Sequence, residues 1–372
     1  MAGVYVHLPF CPYLCPYCDF AKWPLRESAA RRYLGALRAE IEREPVTPAQ
    51  TVYLGGGTPN AYGRDSIVEL LALVRARFPG TSEISIEVNP ELVRDGDFEA
   101  YRDAGVTRLS IGVQSFEPGE IERLGRKHTV EQVRAVVAQA RAARIASVSL
   151  DLIFAVPGQT PASWRRTLAA AIALGVDHCS AYGLTVEEGT PYAAWRAREP
   201  AAFFDDEREA ELYAIAIEAL AAAGYEQYEI SNFARPGHRC AHNLNYWANG
   251  EYLGFGVGAA SYRDGVRSVH TRRLDAYVAA SLDGRAIPSD AERLVGRKRA
   301  GEAMMLALRT AQGVDLSEFK ERYGVDVMNE YAPVVTRFAR TGLLERVGDS
   351  VRLTRRGIFL ANDVCGAFVT FE

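Results

Sequence analysis

DAGVTRLSIG at residues 103–112 and ALGVDHCSAYG at residues 173–183 follow one pattern. In each segment a helical stretch ends at a glycine, and an apolar run typical of a β-strand comes next. Glycine suits the left-handed backbone conformation that often follows the last turn of a helix. The repeated unit therefore predicts helices that alternate with parallel strands, as in an α/β protein.

The same alternation extends in both directions along the chain. Six strands are predicted, at residues 4–8, 51–57, 82–90, 107–115, 147–154 and 178–184. Helices are predicted between them, at residues 28–42, 65–77, 95–104, 130–143 and 162–174. Six such units fit a partial TIM-like (β/α)6 barrel or a doubly wound sheet. A barrel carries its chemistry at the carboxyl ends of its strands.

The pattern changes after residue 205. A helix is predicted at residues 206–223, and a polar, aromatic and glycine-rich segment follows it. The last part contains helices and then LLERVGDSVRLTRRG at residues 343–357, which predicts a hairpin with its turn at Gly348 and Asp349. We predict three parts, at residues 1–205, 206–290 and 291–372, with a small α+β, winged-helix-like domain at the end.

Composition excludes several classes of protein. The chain has 372 residues, of which 24% are charged and 48% apolar, as in ordinary globular proteins. A net charge of −4 gives no global attraction to nucleic acid, so we expect no nucleic-acid partner, even for a winged-helix-like domain. No apolar run reaches the roughly 20 residues of a membrane span, and no secretory signal is visible. We expect a cytoplasmic protein.

Three of the six cysteines lie close together, at Cys11, Cys15 and Cys18, in a C-x3-C-x2-C spacing. In a reducing compartment such a cluster indicates a metal site or catalysis. A structural zinc site and an all-cysteine iron–sulfur cluster both usually take four ligands, so three thiolates leave one position open. The alternatives are a redox pair, a zinc site with His7 as the fourth ligand, and packed inert thiols.

Other unusual residues follow the later predicted strands. They are the glycine-rich GGGTP at residues 55–59, then Glu87, Gln114, Arg126 and Asp151. Glycines allow close approach of the backbone to a ligand, and a carboxylate in an apolar run such as LDLIF needs partners. Each residue alone is more often structural, but nearly all of them lie at or just after a strand end, which favours the barrel and one shared site.

CPYLCPYC resembles the cluster loop of the radical S-adenosylmethionine (SAM) superfamily, in which an aromatic residue, here Tyr17, precedes the last cysteine. The resemblance implies a [4Fe–4S] cluster on Cys11, Cys15 and Cys18, whose open iron binds SAM. An electron passed to the sulfonium would then release a deoxyadenosyl radical. It also implies a set of SAM-binding residues: Tyr5, Tyr17, Gly56, Gly57, Thr58, Glu87, Gln114, Arg126 as counter-charge to the SAM carboxylate, and Asp151.

Further strings resemble the HemN/HemW group within that superfamily. They include YVHLPFC, EVNP, DLIFAVPGQT and GFGVGA, in the order the group has them. Its dehydrogenase branch has a fourth cysteine two residues after the third, where this chain has Phe20, and a longer N-terminal arm. Its haem chaperone branch has CDF and an H-N-x-x-Y-W string, which matches HNLNYW at residues 242–247. Both features favour the chaperone branch.

Imidazole is a good axial ligand of haem iron, and aromatic faces pack on porphyrins. We therefore expect His242 to bind haem, with His238 or Cys240 as possible substitutes and Arg235 or Arg239 at a propionate; the alternative is a core histidine. The resemblance implies a chaperone that holds SAM and haem, receives electrons from a donor protein, and supplies haem to acceptors such as respiratory enzymes.

Two other functions stay open. One is an enzyme that converts coproporphyrinogen III propionates to vinyl groups by radical decarboxylation. The other is a binding module with a structural metal and no SAM chemistry.

Overall fold

The computed structural model describes residues 2–369. Its strands are β1 Ala2–Leu8, β2 Phe10–Cys11, β3 Trp23–Pro24, β4 Ala49–Gly56, β5 Glu83–Val88, β6 Arg108–Gln114, β7 Ser147–Phe154, β8 His178–Gly183, β9 Glu226–Gln227, β10 Asn232–Ala234, β11 Tyr252–Phe255, β12 Ala260–Arg263, β13 Val266–His270, β14 Ser289–Arg293, β15 Val314–Asp315, β16 Leu344–Val347 and β17 Ser350–Leu353.

The α-helices are α1 Glu27–Arg43, α2 Arg64–Arg77, α3 Asp97–Asp103, α4 Pro118–Arg123, α5 Val130–Ala142, α6 Pro161–Ala173, α7 Pro191–Arg198, α8 Asp206–Ala222, α9 Ala241–Trp247, α10 Leu274–Leu282, α11 Gly296–Ala307, α12 Leu316–Tyr323, α13 Val327–Glu330, α14 Ala332–Arg340, α15 Arg355–Phe359 and α16 Ala361–Val369. Short 3₁₀ turns lie at Pro59–Tyr62, Pro90–Leu92 and Pro200–Ala202. No helix in the described part of the chain has the length and apolar character that crossing a membrane requires.

Twelve strands of the described residues form one sheet, in the order β14-β13-β12-β11-β1-β4-β5-β6-β7-β8-β10-β9. The six predicted strands, β1 and β4 to β8, are parallel and adjacent in chain order. A doubly wound sheet would reverse its strand order at a switch point, whereas a barrel keeps it. The order thus confirms the α/β class and favours the partial barrel, and β11 adds a seventh parallel strand beside β1.

The glycines of the two opening segments have the predicted role. Gly105 has φ 104° and Gly175 has φ 62°, and each follows the end of a helix that leads into a strand. Two of the crossover helices begin with a reciprocal capping box, at Thr129 with Gln132 and at Thr160 with Ser163. Each box satisfies backbone groups that the first turn of a helix leaves unpaired. Local sequence therefore sets where these βα units begin and end.

Buried apolar side chains form two main cores. One extends from Val4 to Val278 and fills the space between the sheet and its helices. The second, from Ala300 to Phe368, lies in the C-terminal domain, where β15, β17 and β16 form a small sheet. The β16–β17 hairpin turns at Gly348 and Asp349, as predicted. The boundaries of the three predicted parts stay a prediction.

The HNLNYW segment forms the short helix α9 at the amino end of the barrel. Glu83, the first residue of β5, accepts hydrogen bonds from the backbone N–H groups of Ala241 and His242, each at 3.0 Å. A carboxylate at this position satisfies two of the unpaired donors of the first turn. Because the cysteines lie beyond the opposite, carboxyl ends of the strands, α9 and the cysteine loop are at the two ends of the barrel.

Candidate functional site

A cavity of about 440 Å³ opens at the carboxyl ends of the parallel strands. It is lined by eleven of the thirteen predicted site residues, Cys11, Cys15, Cys18, Tyr17, Gly56, Gly57, Thr58, Glu87, Gln114, Arg126 and Asp151. The remaining two, Tyr5 and His242, do not line it. Residues far apart in the chain thus meet at one place, as expected for strand ends of a barrel.

The glycine-rich GGGTP segment holds the cysteine loop. Gly57 N donates to Leu8 O at 2.9 Å, and Thr58 N donates to Phe10 O at 3.1 Å. A Cβ on Gly57 would lie 2.6 Å from the carbonyl carbon of Pro9, which is shorter than real contacts allow. Glycine at this position is therefore required for the two backbones to approach.

The cysteines of the loop are free thiols, and burial raises the pKa of Cys11 to about 11. Iron binding would favour the thiolates, because metal coordination displaces the proton. Among residues 2–369, no three His, Cys, Asp or Glu side chains are grouped so as to hold a single ion. A cubane cluster instead takes each thiolate on a different iron.

His7, the possible fourth ligand of a zinc site, has both ring nitrogens engaged. Nδ1 is 2.9 Å from the hydroxyl of Tyr5, and Nε2 is 2.8 Å from the carbonyl oxygen of Ala21. A metal would have to displace one of these partners. In this structure His7 is therefore not free to act as a fourth ligand.

Two half-buried carboxyl groups face the cavity. Glu87 accepts hydrogen bonds from the hydroxyl of Tyr53 at 2.9 Å and from Gly56 N at 3.0 Å. Burial, and then the negative charge of Asp151, raise the pKa of Glu87 to about 7. Burial also raises the pKa of Asp151. A cationic ligand group would stabilise both ionised carboxylates.

Asp151 is held by two hydroxyl groups from neighbouring strands. Ser180 Oγ donates to Oδ1 at 2.8 Å, and Ser110 Oγ lies 2.9 Å from Oδ2. These bonds satisfy acceptors that burial would otherwise leave unpaired. The carboxylate is therefore fixed in the cavity wall.

Arg126 places a buried positive charge in the same cavity. Its Nη2 donates to Asn89 Oδ1 and to Gly112 O, both at 2.7 Å, while its Nε has no hydrogen-bond partner. Within the described residues no carboxylate lies within 4.0 Å of this guanidinium. A buried cation of this kind suits an anionic ligand. Together with the two acids, it fits the zwitterionic end of an amino acid such as that of SAM.

Gln114 ends β6 in a strained conformation. Its φ is 65°, in the left-handed region that glycine favours, and the β6–β7 register shifts just before it. Strain of this type is costly and concentrates at ligand-binding sites. Tyr17 lines the same cavity and contacts Tyr192 edge-on, with ring centroids 6.2 Å apart.

Tyr5 lies behind this cavity rather than in it. Its ring is stacked on Tyr53 with centroids 6.3 Å apart, and it lines a second cavity of about 520 Å³. Phe20, Gly56 and Glu87 line both cavities, so the two adjoin.

His242 is buried and lines neither cavity. Its Nδ1 is 2.8 Å from Thr51 Oγ1, its Nε2 is 2.9 Å from the hydroxyl of Tyr246, and its ring stacks on Tyr53 at 5.3 Å. Burial lowers its pKa to about 3. Iron ligation by His242 would therefore break a buried hydrogen bond and need a movement of α9.

The residues predicted to assist His242 also lie outside both cavities, namely Arg235, His238, Arg239 and Cys240. Arg239 forms an ion pair with Glu226 at 3.0 Å, and Arg235 Nε donates to the carbonyl of Val176. In this structure these cations are engaged elsewhere.

Sequence reasoning missed several residues of the site. Tyr53 joins His242 to Glu87, Asn89 holds Arg126, and Glu83 caps α9. A signal for Tyr53 was present, since it lies two residues before GGGTP and therefore on the same face of β4 as Gly55. The role of Glu83 depends on a contact 158 residues along the chain, which no local pattern shows.

Comparison with known proteins gives two family matches. Residues 5–171 match the radical SAM superfamily, and residues 296–360 match the HemN C-terminal domain. The chain is 34% identical to the heme chaperone HemW of Bacillus subtilis, over 99% of each chain. It is 37% identical to the heme chaperone HemW of Mycobacterium tuberculosis, over 97% of this chain and 93% of that one.

Among solved structures, coproporphyrinogen III oxidase (HemN) of Escherichia coli, described as a radical SAM enzyme, matches with a TM-score of 0.87. The two chains are 26% identical, and the match covers all of this chain and 90% of the other.

Proposed function

Since this chain belongs to the family of radical SAM proteins named heme chaperone HemW, we propose that it binds haem and delivers it to acceptor proteins. The proposed acceptors are respiratory enzymes, the setting is the cytoplasm, and a separate protein donates electrons. The radical SAM domain implies a [4Fe–4S] cluster and SAM. Haem is the cargo of the proposed function rather than a resident cofactor.

The proposed protein ligands of the cluster are Cys11, Cys15 and Cys18. When bound, it supplies an open iron that SAM can chelate and an electron for the sulfonium. Around it, Arg126 pairs with the SAM carboxylate, the backbone of Gly56, Gly57 and Thr58 approaches the amino group, and Glu87 and Asp151 are polar ligands. Tyr5, Tyr17 and Gln114 complete the proposed SAM site.

One observation carries this proposal. A single cavity brings together three thiols, a buried cation without a carboxylate partner, and two half-buried acids whose pKa values are raised by desolvation. A buried cation without a carboxylate partner and acids with raised pKa values are costly in an empty protein, and a ligand with complementary charges offsets both costs. We propose that His242 serves haem binding through the hydrogen bond between its Nε2 and the hydroxyl of Tyr246.

The test is anaerobic purification followed by iron and sulfide analysis, SAM binding and haemin titration. We expect about four iron atoms per chain, an affinity for SAM that depends on the cluster, and a haemin complex with its own absorption spectrum. Zinc in place of iron, or wild-type protein that binds no haemin, would contradict the proposal.

A second candidate function is oxidative decarboxylation of coproporphyrinogen III, favoured by the likeness to HemN over the whole chain. Phe20 occupies the position where that branch carries a further cysteine, and its side chain lies at the boundary of both cavities with 62% of its surface exposed. An anaerobic assay with coproporphyrinogen III, SAM and a reductant separates the two functions. Formation of the vinyl product would favour the enzyme, and the chaperone proposal expects none.

A further inference from the structure

The second cavity lies between one edge of the barrel and the C-terminal domain. Its walls come from β1, β11, β12 and β13, from α9, and from α11. At about 520 Å³ it is within the usual size range of small-molecule sites. It adjoins the cysteine cavity across Phe20, Gly56 and Glu87, so a ligand in it would lie beside the proposed SAM.

The walls of this cavity suit a flat ring system. Tyr5, Tyr246 and Tyr252 supply aromatic surface, Phe20 lies at the boundary with the first cavity, and Met305 adds an apolar, adaptable side chain. Tyr246 and Tyr252 contact edge-on with centroids 4.7 Å apart, which holds both rings. Aromatic rings and thioethers pack well on extended π-systems.

One cation of the cavity is available for an anion. Arg267 is already paired with Glu302 and lies over the ring of Tyr262. Arg272 is exposed, and within residues 2–369 no carboxylate lies within 4.0 Å of it. Burial is the main cause that lowers the pKa of His7, and the positive charge of Arg272 lowers it further. The guanidinium of Arg272 therefore lies near the cavity wall.

The cavity also offers one soft donor atom that needs no hydrogen bond to be broken. Both nitrogens of His7 are engaged, whereas the thioether of Met305 is a known type of haem ligand. A larger cavity of about 660 Å³ lies on the other side of α9, but its lining residues include no His, Met or Cys. The second cavity is therefore the better fit for an iron porphyrin.

We propose that the haem of the proposed function binds in this second cavity, with Arg272 holding a propionate and Met305 facing the iron. His242 is then a positioning residue, because its Nε2 fixes the hydroxyl of Tyr246, which forms the wall. This inference rests on the proposed haem-binding function and adds a location to it.

The test titrates haemin, and separately haemin dimethyl ester, into the cluster-loaded protein and follows the absorbance. Arg272→Gln should weaken haemin binding about tenfold, because a charged hydrogen bond to the propionate is lost. It should leave the affinity for the dimethyl ester unchanged, since the ester has no carboxylate. Arg273→Gln, at an exposed neighbour that does not line the cavity, is the matched control and should change neither affinity.

The outcomes separate the two proposals. If wild-type protein binds no haemin, the proposed function and the location both fail. If it binds haemin and Arg272→Gln binds equally well, or loses affinity for the ester to the same extent, only the location is overturned.

A second measurement addresses the iron. Met305→Leu should shift the Soret band and the spin state of bound haem, whereas His242→Gln should keep the wild-type spectrum with a few-fold weaker affinity. The opposite result, in a His242→Gln protein with a wild-type circular dichroism spectrum, would overturn the roles given to both residues.

Discussion

Arg126 at the carboxyl end of the barrel and His242 at its amino end differ in how fully their hydrogen-bonding groups are paired. At the carboxyl end, Arg126 has a buried nitrogen without a partner, and Glu87 is half-buried with its pKa raised to about 7. At the amino end, His242 has both ring nitrogens paired and Glu83 caps α9. Natural chains break local rules mainly at functional sites. The difference indicates that the carboxyl end is built for ligands and that α9 closes the other end.

Replacing Cys11, Cys15 and Cys18 together with serine is the strongest test of this contrast. We expect iron to fall from about four atoms per chain to almost none, because the thiolates are the only protein ligands proposed. Iron and sulfide analysis of anaerobically purified protein measures it. Cys365→Ala, in the buried core of the C-terminal domain, is the control and should keep its iron. If the serine variant retains iron, the proposal of a cluster at the carboxyl end of the barrel is wrong.

The second prediction concerns the pH dependence of stability at Glu87. In the folded protein this carboxyl holds its proton up to about pH 7, compared with its ordinary pKa of 4.5. The folded state therefore binds more protons between these values, so its stability falls as the pH rises through that window. Glu87→Gln does not titrate, and its free energy of unfolding relative to wild type should rise by up to about 3 kcal/mol between pH 4 and pH 8.

Denaturant unfolding of the metal-free protein at several pH values measures this change. Glu122→Gln, at an exposed position, is the control and should show no such trend. If the difference in free energy of unfolding between Glu87→Gln and wild type is constant with pH, the pKa of Glu87 is not raised in the folded protein.

The third prediction concerns the cap that Glu83 forms on α9 at the amino end of the barrel. Glu83→Ala removes both acceptors of the α9 cap and should lower the free energy of unfolding by about 2 kcal/mol. Thermal unfolding measures the loss, with the exposed Glu99→Ala as control. Iron content and SAM affinity should stay at wild-type values. If Glu83→Ala loses its cluster instead, the two ends are not independent.

The barrel itself could be predicted from the sequence, because glycine-terminated helices and alternating apolar runs are local signals. Gly105 and Gly175 have the expected conformations, and the strands pair in the order of the chain. The common cavity was also predictable, since parallel strands end at one edge. The spacing of residues in a motif does not show which side of the segment faces a cavity.

HNLNYW shows this limit. As a sequence it offers an imidazole beside aromatic rings, and nothing in it tells whether the imidazole faces a ligand or the core. The structure turns His242 towards Thr51 and Tyr53 and turns Tyr246 towards the second cavity. That choice is made by Glu83 and Thr51, which are distant in the chain, so it depends on tertiary contacts that no short pattern records.

The smallest predicted effect tests whether strain at the carboxyl end serves ligand binding. Gln114→Gly should stabilise the metal-free protein by roughly 0.5–1 kcal/mol, because glycine adopts φ 65° without strain. It should also weaken SAM binding several-fold, since a side chain of the cavity is lost. Arg144→Gly, at an exposed residue with φ 58°, is the matched control and should give the same stabilisation with unchanged SAM affinity. If Gln114→Gly binds SAM as well as wild type, the strain at Gln114 belongs to the fold and not to the site.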